Sequence, residues 1–346
     1  MARTRAQRQV YADLLERYGR AVADAFFRAI DDIRKAASLQ AVTAAIEAGD
    51  IEGALDALDI DPAAFNDMLD RIKDAQTAGG NAATEAMPKR GRDGTALQVR
   101  FDGRAYAAEA WLRQHSSELI SRTTTDMRAA ARASLTDNLA RGRNPRQAAL
   151  DIVGRLNRVT GKREGGVLGL SAPQEAYVRS AREELASADP AALRHYLTRT
   201  RRDRRFDRTV TKAIREGVAP PKEIAARALT AYERRLLQLR GETIARVETM
   251  TALQRGKRQA FEQAIAAGKI SEADVRKAWR SAGDLRVRHT HVMLNGDSAG
   301  FNEPFRSASG SLMQHPMDQS LGAGPDEIVG CRCDCEYQID FYANLR

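Results

Sequence analysis

KEIAARALTAYERRLLQLRGETIARVETMTALQRGKRQAFEQAIAAG, residues 222–268, decides the fold class. Apolar residues recur along it at steps that fall on one face of a helix: Ile224, Ala228, Leu229, Leu236, Leu239, Ile244, Val247, Met250, Leu253, Phe261 and Ile265. Pro220-Pro221 opens the pattern, and it continues past Gly241 and Gly256, where bends are expected. A second stripe, Val10, Leu14, Tyr18, Val22, Phe26, Ile30 and Ile33, predicts another long helix near the start. Shorter helices are expected from Gln40 to Ala48 and from Asp61-Pro62 to a stop at Gly79-Gly80. Helical patterns then follow over 105–141, 145–159, 173–186 and 190–216.

The composition agrees: of 346 residues 29% are charged and 5% aromatic, the balance of long solvated helices rather than of sandwiches or barrels. The expected class is mainly α, with long helices in an N-terminal and a middle region and a small α+β C-terminal domain. The boundaries fall where Gly, Pro and charge replace periodicity: 1–80 N-terminal helical region, 81–103 linker, 104–270 middle helical domain, 271–346 C-terminal domain. A short helix is expected between Ser271 and Trp279, a hairpin at Asn295-Gly296, and a strand over IVGCRCDCEYQIDFY at the end.

No apolar run approaches the ~20 residues that cross a bilayer, and MARTRAQRQV is not followed by the apolar segment of a signal peptide. A net charge of +9 favours a polyanionic partner such as nucleic acid, with a solvated basic surface as the competing reading. Much of the excess lies between Arg194 and Arg215, nine bases against two acids. On a helix this run, with Arg199, Arg201, Arg202, Arg204, Arg205 and Arg208 at its centre, would contact an acidic partner or, without sequence preference, nucleic-acid phosphates; a solvated charged face is the alternative.

Cysteine occurs only as Cys331, Cys333 and Cys335, so no disulfide framework spans the molecule. On a strand the three sulfurs share one face, and His289 and His291 have the same two-residue spacing. Such a set suits zinc, while burial as small apolar residues is the alternative. The stretch from Asp284 to His291 also gathers acid, base and guanidinium groups, which admits a metal-free ribonuclease or phosphate-handling site. No nucleophile motif or phosphate-cradling loop accompanies it, so no catalytic residue is assigned.

These residues, in their order and spacing, resemble the phage Mu F-like family of head-morphogenesis minor head proteins. The resemblance rests on IARVET (244–249), Trp279, GDLRVRHTHVMLNG (283–296), NEPF (302–305), HPMD (315–318) and EIVGCRC (327–333), about the last 100 residues. It places the family's Asp and Arg at Asp284, Arg286 and Arg288 and its His at His291. The turn falls at Asn295 and Gly296, and the paired cysteines at Cys331 and Cys333 around Arg332; Gly330 stands where an asparagine is usual. His289 and Cys335 lie outside the pattern.

The resemblance implies a non-enzymatic capsid protein, made in the bacterial host cytoplasm and built into the virion interior near the portal vertex. Its implied partners are the portal protein, major capsid or scaffold proteins, and double-stranded DNA bound non-specifically, with no membrane. Some relatives carry a toxin domain after the CRC block; here the chain stops eleven residues past Cys335, and no such domain is expected. A C-terminal ribonuclease or toxin-like enzyme and a free, sequence-independent DNA-binding protein are the alternatives.

Overall fold

The long stripe folds as one helix of 45 residues, Lys222–Ala266. The structure, a computed structural model, describes residues 2–341, with side chains from residue 8 onward. In chain order the elements are α1 (Ala2–Ala36), α2 (Leu39–Glu47), α3 (Ile51–Asp56), α4 (Asn66–Ala86), α5 (Tyr106–Ala140), α6 (Pro145–Val153), β1 (Arg155–Leu156) and β2 (Arg163–Glu164). There follow α7 (Ala172–Ala186), α8 (Pro190–Thr198), α9 (Asp207–Glu216), α10 (Lys222–Ala266), β3 (Val275–Arg280), α11 (His289–Met293), β4 (Ser298–Gly300), β5 (Phe305–Arg306), β6 (Leu312–Met313), α12 (Pro325–Ile328) and β7 (Asp334–Ile339). Helix accounts for 62%, and the sheets have two or three strands, so the class is mainly α with a small α+β part at the C-terminal end.

Two compact units share the chain: residues up to 25, 67–116 and from 242 on form one, and 26–66 with 117–241 form the other. This partition differs from contiguous boundaries at 80, 103 and 270 because α1, α5 and α10 each supply residues to both units. Breaks in periodicity mark loops, and here the loops are not the borders. The stretch 81–103 lies within the first unit, where Ala83, Met87 and Leu97 join the buried core with Phe261 and Trp279.

Several elements depart from the sequence expectations. α4 runs through Gly79-Gly80 to Ala86. Residues 271–280 form a 3-10 turn and then β3 rather than a helix, as the alternation of Val275, Lys277 and Trp279 permits. Asn295-Gly296 is not a two-residue hairpin: the β3–β4 connection spans 281–297 and contains α11. Asp61 caps a 3-10 turn, accepting from the Ala63 N–H at 2.8 Å, before α4 begins.

In the unit containing α6 to α9, the glycine-rich stretch 165–170 is buried, and side chains satisfy part of its backbone. Arg34 donates to the Leu168 carbonyl at 2.7 Å and Arg240 to the Gly169 carbonyl at 2.9 Å, while Glu233 accepts the Gly166 N–H at 2.9 Å. A buried loop needs such partners. Burial pushes the Glu233 carboxyl from 4.5 up to about 7, against the pull of Arg182 and the Gly166 N–H. The folded chain therefore holds a proton on Glu233 that the unfolded chain has lost, and stability falls as pH rises through that window. The loss is on the order of 3 kcal/mol above neutrality. Glu233→Gln should flatten this slope while keeping an acceptor for Gly166, which urea unfolding at pH 5 and pH 8 measures. Equal pH slopes in the two proteins would contradict the assignment.

In the other unit β3 is central in an antiparallel sheet of order β4-β3-β7, with Trp279 opposite Cys335 and Lys277 opposite Tyr337. Aromatic rings fill the buried face: Tyr337 stacks on Phe261 at 4.8 Å, and Phe305 meets Trp279 edge-on at 5.4 Å. Fully buried Lys277 donates to the Gln314 carbonyl and side-chain oxygens at 2.9 and 2.7 Å. This sheet and core set the position of the cysteines.

Candidate metal centre

Cys331 and Cys333 lie in the extended stretch leading into β7, and α11 in the β3–β4 connection brings a histidine to them. His291 Nδ1 is 3.5 Å from Cys331 Sγ and 3.4 Å from Cys333 Sγ. The ligating atoms of all three residues lie within 4.8 Å of one another, and each residue is buried. The indole of Trp279 closes over the imidazole edge-on at 4.9 Å. One imidazole and two sulfurs at this separation are a soft donor set that can hold a metal ion.

His289 and Cys335 do not join the group. On a helix, residues two apart point to nearly opposite sides, so His289 is exposed while His291 is buried. Cys335 belongs to β7 proper and is buried apart from the pair, where burial pushes its thiol up to about 12. The two-residue spacing that would align three sulfurs on one strand does not do so, because the strand begins only at Asp334.

The Cys331–Cys333 pair shares its protons unequally. Hydrogen bonding from Cys331 holds Cys333 down at about 5; burial opposes this, while His291 and Trp279 assist. Cys331, as the donor, is pushed up by the same contact and by burial. The contact thus lowers Cys333 towards the thiolate form that metal ligation requires.

Behind the imidazole lies a residue absent from the sequence-derived site. Glu327 of α12 is 1% exposed, and its Oε2 sits 2.7 Å from His291 Nε2, off the straight line of a ring N–H bond. The hydroxyls of Ser309, Ser307 and Thr290 donate to the same carboxylate at 2.6, 3.0 and 3.1 Å. Burial pushes its carboxyl up, and the three hydroxyls with His291 more than reverse that, leaving it lowered. In the sequence it stands as the first residue of EIVGCRC, four residues before Cys331, with no role assigned to it.

The other motif residues brace the two segments. Arg288 donates to the Asp326 carbonyl and, at 2.6 Å, to the Val329 carbonyl. Arg332 forms a two-pronged pair with Asp284, whose carboxyl it holds down at about 2. The Asp284 carboxylate also accepts the Arg286 N–H at 2.9 Å. Asn295 Oδ1 accepts the Ser281 N–H at 3.0 Å, and Gly296, at a φ of +98°, donates to the Trp279 carbonyl.

The arginine run does not lie on one helix. α8 ends at Thr198, and a turn with a short 3-10 segment precedes α9. Arg199 pairs with Glu184, Arg202 with Asp207 and Arg205 with Asp203, so half of the six central arginines serve structure. Arg201, Arg204 and Arg208 are exposed. Asp203, which caps the 3-10 segment, breaks the helix that the charge pattern suggested.

No family model, no curated protein and no solved structure matches this chain.

Proposed function

We propose that this chain is a minor head protein of the phage Mu F-like kind, acting in prohead assembly at the portal vertex as a structural component. The observation that carries this reading is convergence. Trp279, His291, Phe305, Glu327, Cys331 and Cys333, drawn from segments far apart in sequence, meet around one buried centre. Thr249, Met317 and Asp318 of the same sequence block are buried too. The block that carries the resemblance thus behaves as one folded unit rather than as scattered matches.

In this reading His291, Cys331 and Cys333 hold a zinc ion that cross-links α11 to the stretch before β7, leaving a fourth position for water or another ligand. Zinc here supplies a structural cross-link. Arg201, Arg204 and Arg208 would meet DNA phosphates without sequence preference. The virion interior is the proposed location, with portal, capsid or scaffold proteins as partners. No described helix is long and apolar enough to cross a membrane.

A second reading, a thiol-dependent enzyme, draws on the order Cys333, His291, Glu327, which matches nucleophile, base and orienting carboxylate. Against it, Cys333 and His291 are each 1% exposed. Co-expression with the portal protein of the same genome, followed by sedimentation and metal analysis, separates the readings. A stable portal complex carrying about one zinc per chain is the expected result. Absence of the chain from portal complexes and proheads would defeat the head-protein reading. Turnover of an acyl substrate, peptide or ester, lost in both Cys333→Ala and His291→Ala variants that still fold, would establish the enzyme.

A further inference from the structure

Resting on the zinc reading above, we infer that Glu327 is the positioning carboxylate of the metal centre, holding His291 in the tautomer that presents Nδ1 to the ion. Nδ1 is the ring nitrogen facing both sulfurs, so ligation there requires the ring proton to sit on Nε2. Glu327 Oε2 is the oxygen that faces Nε2, 2.7 Å away. A carboxylate in this place fixes the ring and raises the basicity of the ligating nitrogen.

Nothing about packing calls for an acid here. A buried carboxylate is costly to desolvate, and an apolar residue of similar volume would fill the same space without that cost. The chain instead surrounds Glu327 with three hydroxyl donors drawn from two places, Thr290 beside the ligand itself and Ser307 and Ser309 at the β5–β6 turn. Ser307 and Ser309 hold Oε1 and Thr290 holds Oε2, so the hydroxyls alone orient both carboxylate oxygens. Arg288 completes the arrangement by clamping the carbonyls of Asp326 and Val329, the turn that carries Glu327.

The test uses the full chain, titrated with zinc against a competing chelator and with cobalt(II) as a spectroscopic probe. Glu327→Gln should weaken metal binding by about 10- to 100-fold. The cobalt–thiolate charge-transfer bands should persist at saturation, because all three ligands remain. A merely structural role would lower the apo-protein's melting temperature and leave the affinity of the folded fraction alone. Should Glu327→Gln fail to fold, Ser309→Ala keeps the carboxylate and removes its shortest hydroxyl bond; a smaller loss of affinity in the same direction is expected. Wild-type affinity in whichever variant folds overturns the inference while leaving the zinc reading intact. A wild-type chain that takes up neither metal overturns the zinc reading itself.

Discussion

Gly256→Ala is expected to destabilise the unit that carries the metal centre by about 3 kcal/mol or more. The cause is a close crossing of α4 and α10. A Cβ on Gly256 would lie 1.9 Å from the Gln76 carbonyl oxygen and 3.0 Å from the Gly80 nitrogen, and one on Gly79 would lie 2.4 Å from the Leu253 carbonyl oxygen. These neighbours are backbone atoms of helices, so relief requires the helices to part. Parting them would also break the buried Gln76–Gln259 hydrogen bond of 2.7 Å beside the crossing. The gain in helix propensity from Gly to Ala, about 1 kcal/mol, cannot offset this. Gly19→Ala in α1 is the control: no atom lies within 4 Å of its added Cβ, so the same substitution should stabilise slightly. Both tryptophans, Trp111 and Trp279, belong to this unit, and their fluorescence in a urea titration reports its unfolding. Equal midpoints for Gly256→Ala and Gly19→Ala would rule out the crossing as described.

The same glycines show where sequence reasoning reaches its limit. Periodicity found α10 and α1 because an apolar stripe is a local pattern that a helix must bury. It misjudged Gly79-Gly80 as a stop and gave no sign that Gly241 and Gly256 admit close neighbours, because a glycine that ends a helix and one that admits a neighbour read alike. Their partners, Leu253, Gln76 and, for Gly241, Phe27, are remote in sequence. Capping was legible where side chain and backbone are adjacent, as at Asp61.

For the centre, His291, Cys331 and Cys333 were legible as donor types at suggestive spacing. His289 and Cys335 were carried along by the same spacing, since two-residue steps imply one face only on a strand. α11 turned one histidine out, and the late start of β7 left the third cysteine elsewhere. Glu327 was not legible as a site residue, because a buried acid is defined by the hydroxyls around it and those come from other segments. The arginine run misled for a related reason: charge is countable in sequence, but the carboxylates of Glu184, Asp203 and Asp207 that absorb half of its centre depend on the fold.

Cys333→Ser should abolish stoichiometric zinc and lower the melting temperature of the same unit, and a strong chelator should reproduce the shift in the wild-type chain. A ligand that binds only the folded state stabilises it by RT ln(1 + [L]/Kd), about 4 kcal/mol when free metal exceeds Kd a thousandfold. For a unit of this size that corresponds to a fall on the order of 10 °C. Complete unfolding, as in small zinc domains, is not expected, because Trp279, Phe261, Phe305 and Tyr337 supply an apolar core independent of the ion. Metal loss should instead free α11 from the stretch before β7, raising amide exchange around His291 and Cys331 while β3 and β7 stay protected. Cys335→Ser separates ligation from packing. Its sulfur is fully buried but outside the donor group, so that variant should lose stability while keeping its zinc. If chelator leaves both the melting temperature and the exchange pattern unchanged, Cys331 and Cys333 are packing residues, and the stability of the centre rests on the His291–Glu327 pair and the core around Trp279.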